Sequence, residues 1–66
     1  MKKYRTIYIA SDGTEFKWGT FDADNKVTAA KLGRDDFIEA VIEDGASYEQ
    51  AERYADSMEW KAIEVE

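Results

Sequence analysis

Carboxylates are the side chains in this sequence that are most capable of catalysis or metal binding. Fifteen Asp and Glu stand against nine Lys and Arg, and the chain contains neither His nor Cys. Paired carboxylates can act as general acid and base, and clusters of them can bind calcium. The absence of His and Cys removes the commonest general base, thiolate nucleophiles, disulfides and thiolate metal sites.

No motif for catalysis or metal binding accompanies these carboxylates. Segment 22–26 begins like a calcium-binding loop, but Val27 replaces its sixth-position Gly and Gly33 its final Glu. The hydroxyls near turns fit structural roles as turn or cap residues: Ser11, Thr14 and Ser47. We therefore expect no catalytic residue, no metal site and no cofactor. An enzyme working through carboxylates would require a concave acidic pocket that shifts a carboxyl pKa.

The negative charge is concentrated in the second half of the chain. The formal net charge is −6, made up of +2 over residues 1–33 and −8 over residues 34–66. Direct binding of DNA, RNA or anionic lipid requires clustered Lys and Arg and is not expected. A protein with a basic surface is the expected partner.

Two alternating segments predict a β-hairpin. Residues 3–10 and 15–21 flank Asp12-Gly13, a strong signal for a two-residue turn. With that turn, two apolar pairs share one sheet face and form the expected core: Ile7 with Trp18, and Ile9 with Phe16. The opposite sheet face would then be left uncovered.

A helix is predicted over residues 25–43, with Asp24 as the N-cap and Gly45 as the terminating glycine. Gly33 lies inside this span, where glycine costs about 1 kcal/mol relative to Ala. We favour one helix through Gly33, and two helices meeting there is the alternative.

The remainder of the chain predicts a second helix and a third strand. Ser47 and Gln50 form a capping-box pattern before a helix over about 48–57, and residues 59–66 alternate as a strand. The fold class is therefore α+β, one domain over 1–66 in the order β-β-α-α-β. We expect the strands in spatial order 2-1-3, with the third parallel to the first and both helices on one face.

The predicted helices carry a dense set of acids. Asp35, Glu39 and Glu43 follow one another at intervals of four residues, about 6 Å of rise each. A column of carboxylates at this spacing can resemble a phosphate backbone to a basic groove. The alternative is a solvated face that keeps a small protein soluble. The candidate partner-binding acids are Asp35, Asp36, Glu39, Glu43, Asp44, Glu52 and Asp56.

Aromatic residues form a second candidate surface. Tyr4, Tyr8, Phe21 and Trp60 would share the uncovered sheet face, and Tyr and Trp are enriched at binding hot spots. Such a face would bind a partner or a second copy of the chain, forming a homodimer.

In size, charge and lack of catalytic residues, the chain looks like the small acidic proteins with which phages and mobile elements block host machinery, anti-CRISPR and anti-restriction proteins among them. The resemblance implies a non-enzymatic inhibitor that occludes a basic, nucleic-acid-binding surface of a host protein. The alternative is a structural module that self-associates through the aromatic face. Without a signal peptide or an apolar run of membrane-spanning length, we expect a cytoplasmic protein.

Overall fold

A computed structural model describes residues 1–65 of the chain. It contains three strands and two helices: β1 (Lys2–Ile9), β2 (Glu15–Ala23), α1 (Lys26–Glu43), α2 (Tyr48–Asp56) and β3 (Glu59–Glu64). The expected α+β class and element order are confirmed, as is the spatial order β2-β1-β3. Glu66, the last residue of the predicted third strand, lies outside the described residues.

The hairpin between β1 and β2 turns through three residues rather than two. Ala10 N donates to Thr14 O at 2.9 Å, and Gly13 N donates to Ala10 O at 2.9 Å. Gly13 has φ +89°, a left-handed conformation that glycine adopts without a Cβ clash. A three-residue loop that ends in such a glycine is a standard hairpin connection, and it moves the pairing by one residue.

The register next to the turn therefore differs from the expected one. Ile9 pairs with Glu15 and Tyr8 pairs with Phe16. The predicted pairing of Ile9 with Phe16 is wrong by one residue. Successive side chains of a strand point to opposite faces. The shift therefore places Phe16 on the same face as Tyr8, where Glu15 and Lys17 were expected.

A β-bulge restores the expected register farther along the hairpin. Ile7 pairs with Lys17 and Thr6 pairs with Gly19, so Trp18 is the extra residue of β2. The predicted pairing of Ile7 with Trp18 is wrong, whereas the pairs from Thr6 to the start of β1 agree with the expectation.

The turn and the bulge together gather the aromatic residues of the sheet on the face that α1 covers. Tyr4 is only 3 % exposed, and the rings of Tyr8 and Trp60 lie 5.7 and 5.4 Å from that of Phe37 on α1. The expectation that Tyr4, Tyr8, Phe21 and Trp60 lie on an uncovered face is therefore wrong. The aromatic residues of this face are Tyr4, Tyr8, Phe16, Trp18, Phe21 and Trp60.

The opposite face of the sheet is open and carries charges of both signs. Ile7 and Ile9, which were expected in the core, lie on this face. Ile7 is only 7 % exposed, because it lies on the central strand between the side chains of β2 and β3. Burying this face under the helices would desolvate its charged groups, which costs far more than covering aromatic rings. Its charged side chains are Lys3, Arg5, Glu15, Lys17, Asp22, Glu59 and Lys61.

Strand β3 runs antiparallel to β1, not parallel as expected. Its first residue, Glu59, pairs with Ile9 at the hairpin end of the sheet. Helix α2 packs against α1 and Trp60 around Phe37, which lies over Tyr8 near the hairpin end of the sheet. The chain therefore leaves α2 at that end and must return along β1. The residues of this packing are Phe37, Ile38, Val41, Ala51, Ala55, Met58 and Trp60.

Helix α1 is continuous through Gly33. Its N-cap is Asn25, whose Oδ1 accepts a 2.9 Å hydrogen bond from Thr28 N, so the predicted N-cap Asp24 is wrong by one residue. The predicted terminator is confirmed: Gly45 has φ +111°, and its N–H donates to a carbonyl in the last turn.

The predicted capping box of α2 is also confirmed. Gln50 N donates to Ser47 Oγ at 3.2 Å, and Ser47 N donates to Gln50 Oε1 at 3.1 Å. These two bonds satisfy amides that the first turn of a helix leaves unpaired.

Candidate functional site

The seven acids predicted as partner-binding lie on the two helices and the residue that caps α1. We call them the acidic helical surface. All are exposed except Glu52, which is half-buried. The surface consists of Asp35, Asp36, Glu39, Glu43, Asp44, Glu52 and Asp56.

Three of these acids form a column along α1. Because α1 is one helix, Asp35, Glu39 and Glu43 stand one above the other at four-residue intervals, and all three are exposed. Each adjacent pair is a like-charge i,i+4 pair, which costs a helix about 0.2–0.5 kcal/mol. Local stability therefore does not account for the column.

Arg34 neutralises one side of the surface. Its guanidinium forms an ion pair with Asp56 on α2 and lies 3.9 Å from Asp35. The hydrogen bond to Asp56 raises the pKa of Arg34 above its ordinary value. Nearby, the Glu52 carboxylate raises the pKa of the Tyr48 hydroxyl, first by accepting a hydrogen bond from the neutral phenol and second because its negative charge disfavours the phenolate.

Asp36 is engaged with the sheet. Its Oδ2 accepts a 3.0 Å hydrogen bond from Trp18 Nε1, which ties α1 to the bulge of β2. By contrast, within residues 1–65 no cation lies within 4 Å of Glu39, Glu43 or Asp44. The acids free to meet a partner are thus concentrated toward the C-terminal end of α1.

A groove between α1 and α2 adjoins these acids, and the sequence analysis missed it. Its volume is about 430 Å³, and it is lined by Asp35, Ile38, Glu39, Ile42 and Tyr48. Ile42 is 36 % exposed and Tyr48 61 %. The sequence signal was the apolar i,i+4 pair Ile38 and Ile42 immediately beside the acidic column. An apolar floor under a carboxylate rim suits a long basic side chain, whose stem is apolar and whose end is charged.

The four aromatic candidates do not form an exposed surface. Tyr4 is buried, and Tyr8, Phe21 and Trp60 are half-buried beneath or beside α1. The Trp60 indole is further held by a 3.2 Å hydrogen bond from Nε1 to Ala55 O. The alternative of self-association through this face therefore loses the exposed surface on which it depended.

Across the described part of the chain, no group of three or more acidic side chains is arranged to hold a metal ion. None of the helices there is both long enough and apolar enough to cross a membrane.

The chain defines a small α+β fold whose helical side is acidic and whose open sheet face is of mixed charge. No protein-family model, curated protein or solved structure matches it.

Proposed function

We propose that this chain is a non-enzymatic protein-binding domain that occludes a basic, nucleic-acid-binding surface of another protein. In size and charge it resembles the small acidic inhibitors of phages and mobile elements, so the proposed partner is a host protein that binds DNA or RNA. The observation that carries the proposal is the exposed carboxylate column of Asp35, Glu39 and Glu43.

The spacing of the column supports this choice of partner. Its carboxylates recur about every 6 Å along the helix. Phosphates of one DNA strand recur every 3.4 Å along the duplex axis, and are farther apart through space because the strand winds. A groove of Lys and Arg built for phosphates can therefore pair with successive carboxylates of α1. Opposite charges would make association fast and dependent on salt.

The groove beside the column adds an apolar contact. Ile38 and Ile42 form its floor, and Asp35 and Glu39 form its rim. A partner Arg or Lys would place its aliphatic stem on the isoleucines and its charge between the carboxylates. Part of the binding energy would then persist at high salt.

The test compares two triple variants with the same change in net charge. The first replaces Asp35, Glu39 and Glu43 by Lys. The second makes the same replacement at three acids of the open sheet face: Glu15, Asp22 and Glu59. Each variant and the wild type are immobilised and used to capture proteins from a nuclease-treated bacterial lysate at low salt and at about 0.5 M salt.

The proposal requires that wild type and the sheet-face variant retain a nucleic-acid-binding protein at low salt, and that the helix variant lose it. The purified partner must also lose its DNA or RNA when the wild type is added. Circular dichroism of both variants checks that the fold is intact. Equal loss in the two variants would show that only net charge matters and would refute docking through α1.

A further inference from the structure

The outer edge of β3 presents backbone groups that can pair with another strand. In an antiparallel pair, alternate residues direct their backbone N–H and C=O toward the neighbouring strand. Val65 N donates to Lys3 O at 3.0 Å, which assigns the odd-numbered residues of β3 to β1. The backbone groups of Trp60, Ala62 and Glu64 therefore point outward. No further strand follows β3 in the part of the sheet that the structure describes.

The two edges of the sheet differ in how they are protected. The β2 edge is interrupted by the bulge at Trp18, and a bulge hinders the pairing of a further strand. Strand β3 pairs with β1 without a register shift and contains no Pro. The β3 edge is thus the one able to accept another strand.

Apolar side chains remain exposed on both faces of the β3 edge. Ile63 is 49 % exposed and Val65 is 38 % exposed, and both lie on the open sheet face. On the face that α1 covers, Val27 is 81 % exposed and lines a groove of about 350 Å³ together with Trp60 and Ala62. A strand added to β3 would shield these side chains from water on both faces of the sheet.

The charges of the edge indicate which strand fits it. Glu59 and Lys61 lie on the open sheet face, whereas Glu64 and Lys26 lie on the face that α1 covers. Each face therefore carries one acid and one base, and a strand of uniform charge would meet a like charge on both faces. A second copy of β3 carries the same mixture in the reverse direction, so its charges can complement those of the first.

The residue at the two-fold axis defines how two antiparallel copies of β3 pair. A register centred on Lys61 sets two lysines directly opposite each other, which is destabilising. A register centred on Ala62 pairs Ala62 with its own copy and Trp60 with Glu64, and each such pair exchanges two backbone hydrogen bonds. It uses all three outward residues, whereas registers centred on Trp60 or Ile63 leave more of β3 unpaired.

On the face that α1 covers, the register centred on Ala62 brings opposite charges together. Glu64 of the second copy lies opposite Trp60, which lines the groove together with Lys26. The carboxylate therefore meets the ammonium group of Lys26, and the two-fold axis repeats the contact. Within one copy Glu64 lies 3.7 Å from Lys2, but this ion pair is exposed and such pairs contribute little.

On the open sheet face, the same register opposes no like charges. Lys61 faces Ile63 of the second copy, and the isoleucine packs against the apolar stem of the lysine. Glu59 faces Val65 of the second copy in the same way. Both of the exposed apolar side chains of this face are thus covered.

We propose that two copies of the chain pair through β3 in the register centred on Ala62, which joins their sheets into one sheet of six strands. Backbone hydrogen bonds hold the strands together, and the contact of Lys26 with Glu64 of the second copy favours this register. None of these residues belongs to the acidic helical surface, so the dimer does not depend on the function proposed for that surface.

Sedimentation velocity tests whether the dimer forms. A single pair of strands is a small interface, so we expect a dissociation constant of roughly 0.1 mM. Between about 10 µM and about 1 mM, the mass of the wild type should rise from that of one chain toward that of two. A monomer throughout this range overturns the proposal.

Substitutions at Ile63 test the register. Because Ile63 faces Lys61 of the second copy, Ile63→Glu should dimerise about tenfold more tightly than Ile63→Lys. Net charge alone predicts the reverse, since the chain already carries −6. Thr20→Glu and Thr20→Lys make the same changes in charge on the same face but away from β3, and they should show no such preference for Glu. Equal dissociation constants for the two Ile63 variants, or the reverse order, overturn the proposal.

Amide hydrogen exchange of the wild type locates the contact without any substitution. The outward amides of Ala62 and Glu64 should exchange more slowly as the concentration rises, in proportion to the fraction of dimer. The amides of Lys61 and Ile63 face β1 and serve as internal controls, because dimerisation should change their exchange much less. A dimer in which the exchange of Ala62 does not depend on concentration would form through another surface and overturn the proposal.

Discussion

Gly33 of α1 lies directly against Thr6 of β1. A Cβ at Gly33 would stand 2.7 Å from Thr6 Cβ and 2.8 Å from both Thr6 Cγ2 and Oγ1. Thr6 is fully buried, and its hydroxyl donates to Gly19 O at 3.1 Å, so it has little freedom to move. The glycine that weakens α1 as an isolated helix is what allows α1 to approach the sheet closely.

Gly33→Ala is therefore expected to lower the free energy of unfolding by about 1–3 kcal/mol, the usual cost of overpacking a core. Helix propensity alone would give a gain of about 1 kcal/mol. Urea denaturation distinguishes these opposite signs. Lys31→Ala, at an exposed position of the same helix, should change the stability little. A Gly33→Ala protein as stable as the wild type would contradict the close packing.

Glu39→Lys is expected to stabilise the fold while it weakens partner binding. The substitution converts two like-charge i,i+4 pairs, with Asp35 and Glu43, into opposite-charge pairs, a gain of about 1–2 kcal/mol. Glu49→Lys is the comparison, because it replaces an attractive pair with Arg53 by a repulsive one and should destabilise α2. Urea denaturation at low salt measures the change in the free energy of unfolding of each variant. The difference between the two variants should become smaller at high salt, which screens the charges.

Glu52→Gln is expected to return the pKa of Tyr48 toward its ordinary value of 10.0. In the wild type the Glu52 carboxylate raises that pKa, so the phenol should ionise later on titration with base. NMR of Tyr labelled at Cζ follows the four tyrosines separately. Glu49→Gln is the matched control. Identical Tyr48 titration curves in the wild type and in Glu52→Gln would show that Tyr48 and Glu52 do not interact.

Asp12 is expected to titrate below its ordinary pKa of 3.8, because Thr14 N donates to its Oδ1 at 2.9 Å. A carboxyl whose pKa is lower in the folded state contributes stability above the unfolded pKa, and this is lost as the pH falls through the folded pKa. Asp12→Asn retains an acceptor oxygen but does not ionise. Its stability should therefore depend less on pH below about 4 than that of the wild type. Parallel acid denaturation curves would refute this contribution.

Features that depend on neighbouring residues could be predicted from the sequence. The capping box of Ser47 and Gln50 and the turn at Gly45 are made by local hydrogen bonds and one backbone angle. Element order followed from apolar periodicity, and so did the placing of Asp35, Glu39 and Glu43 in one column. The N-cap shifted by one residue because Asp24 and Asn25 are both capable of capping.

The register and the covered face were decided only by the tertiary structure. A two-residue and a three-residue turn at Gly13 differ little in local free energy. The choice between them nevertheless reverses which side chains share a sheet face. The bulge at Trp18 reverses them again, so that both aromatic sets meet α1. The direction of β3 likewise depended on where α2 packs along α1. These outcomes are set by the burial of aromatic rings and the solvation of charges across the whole sheet, which no local segment contains.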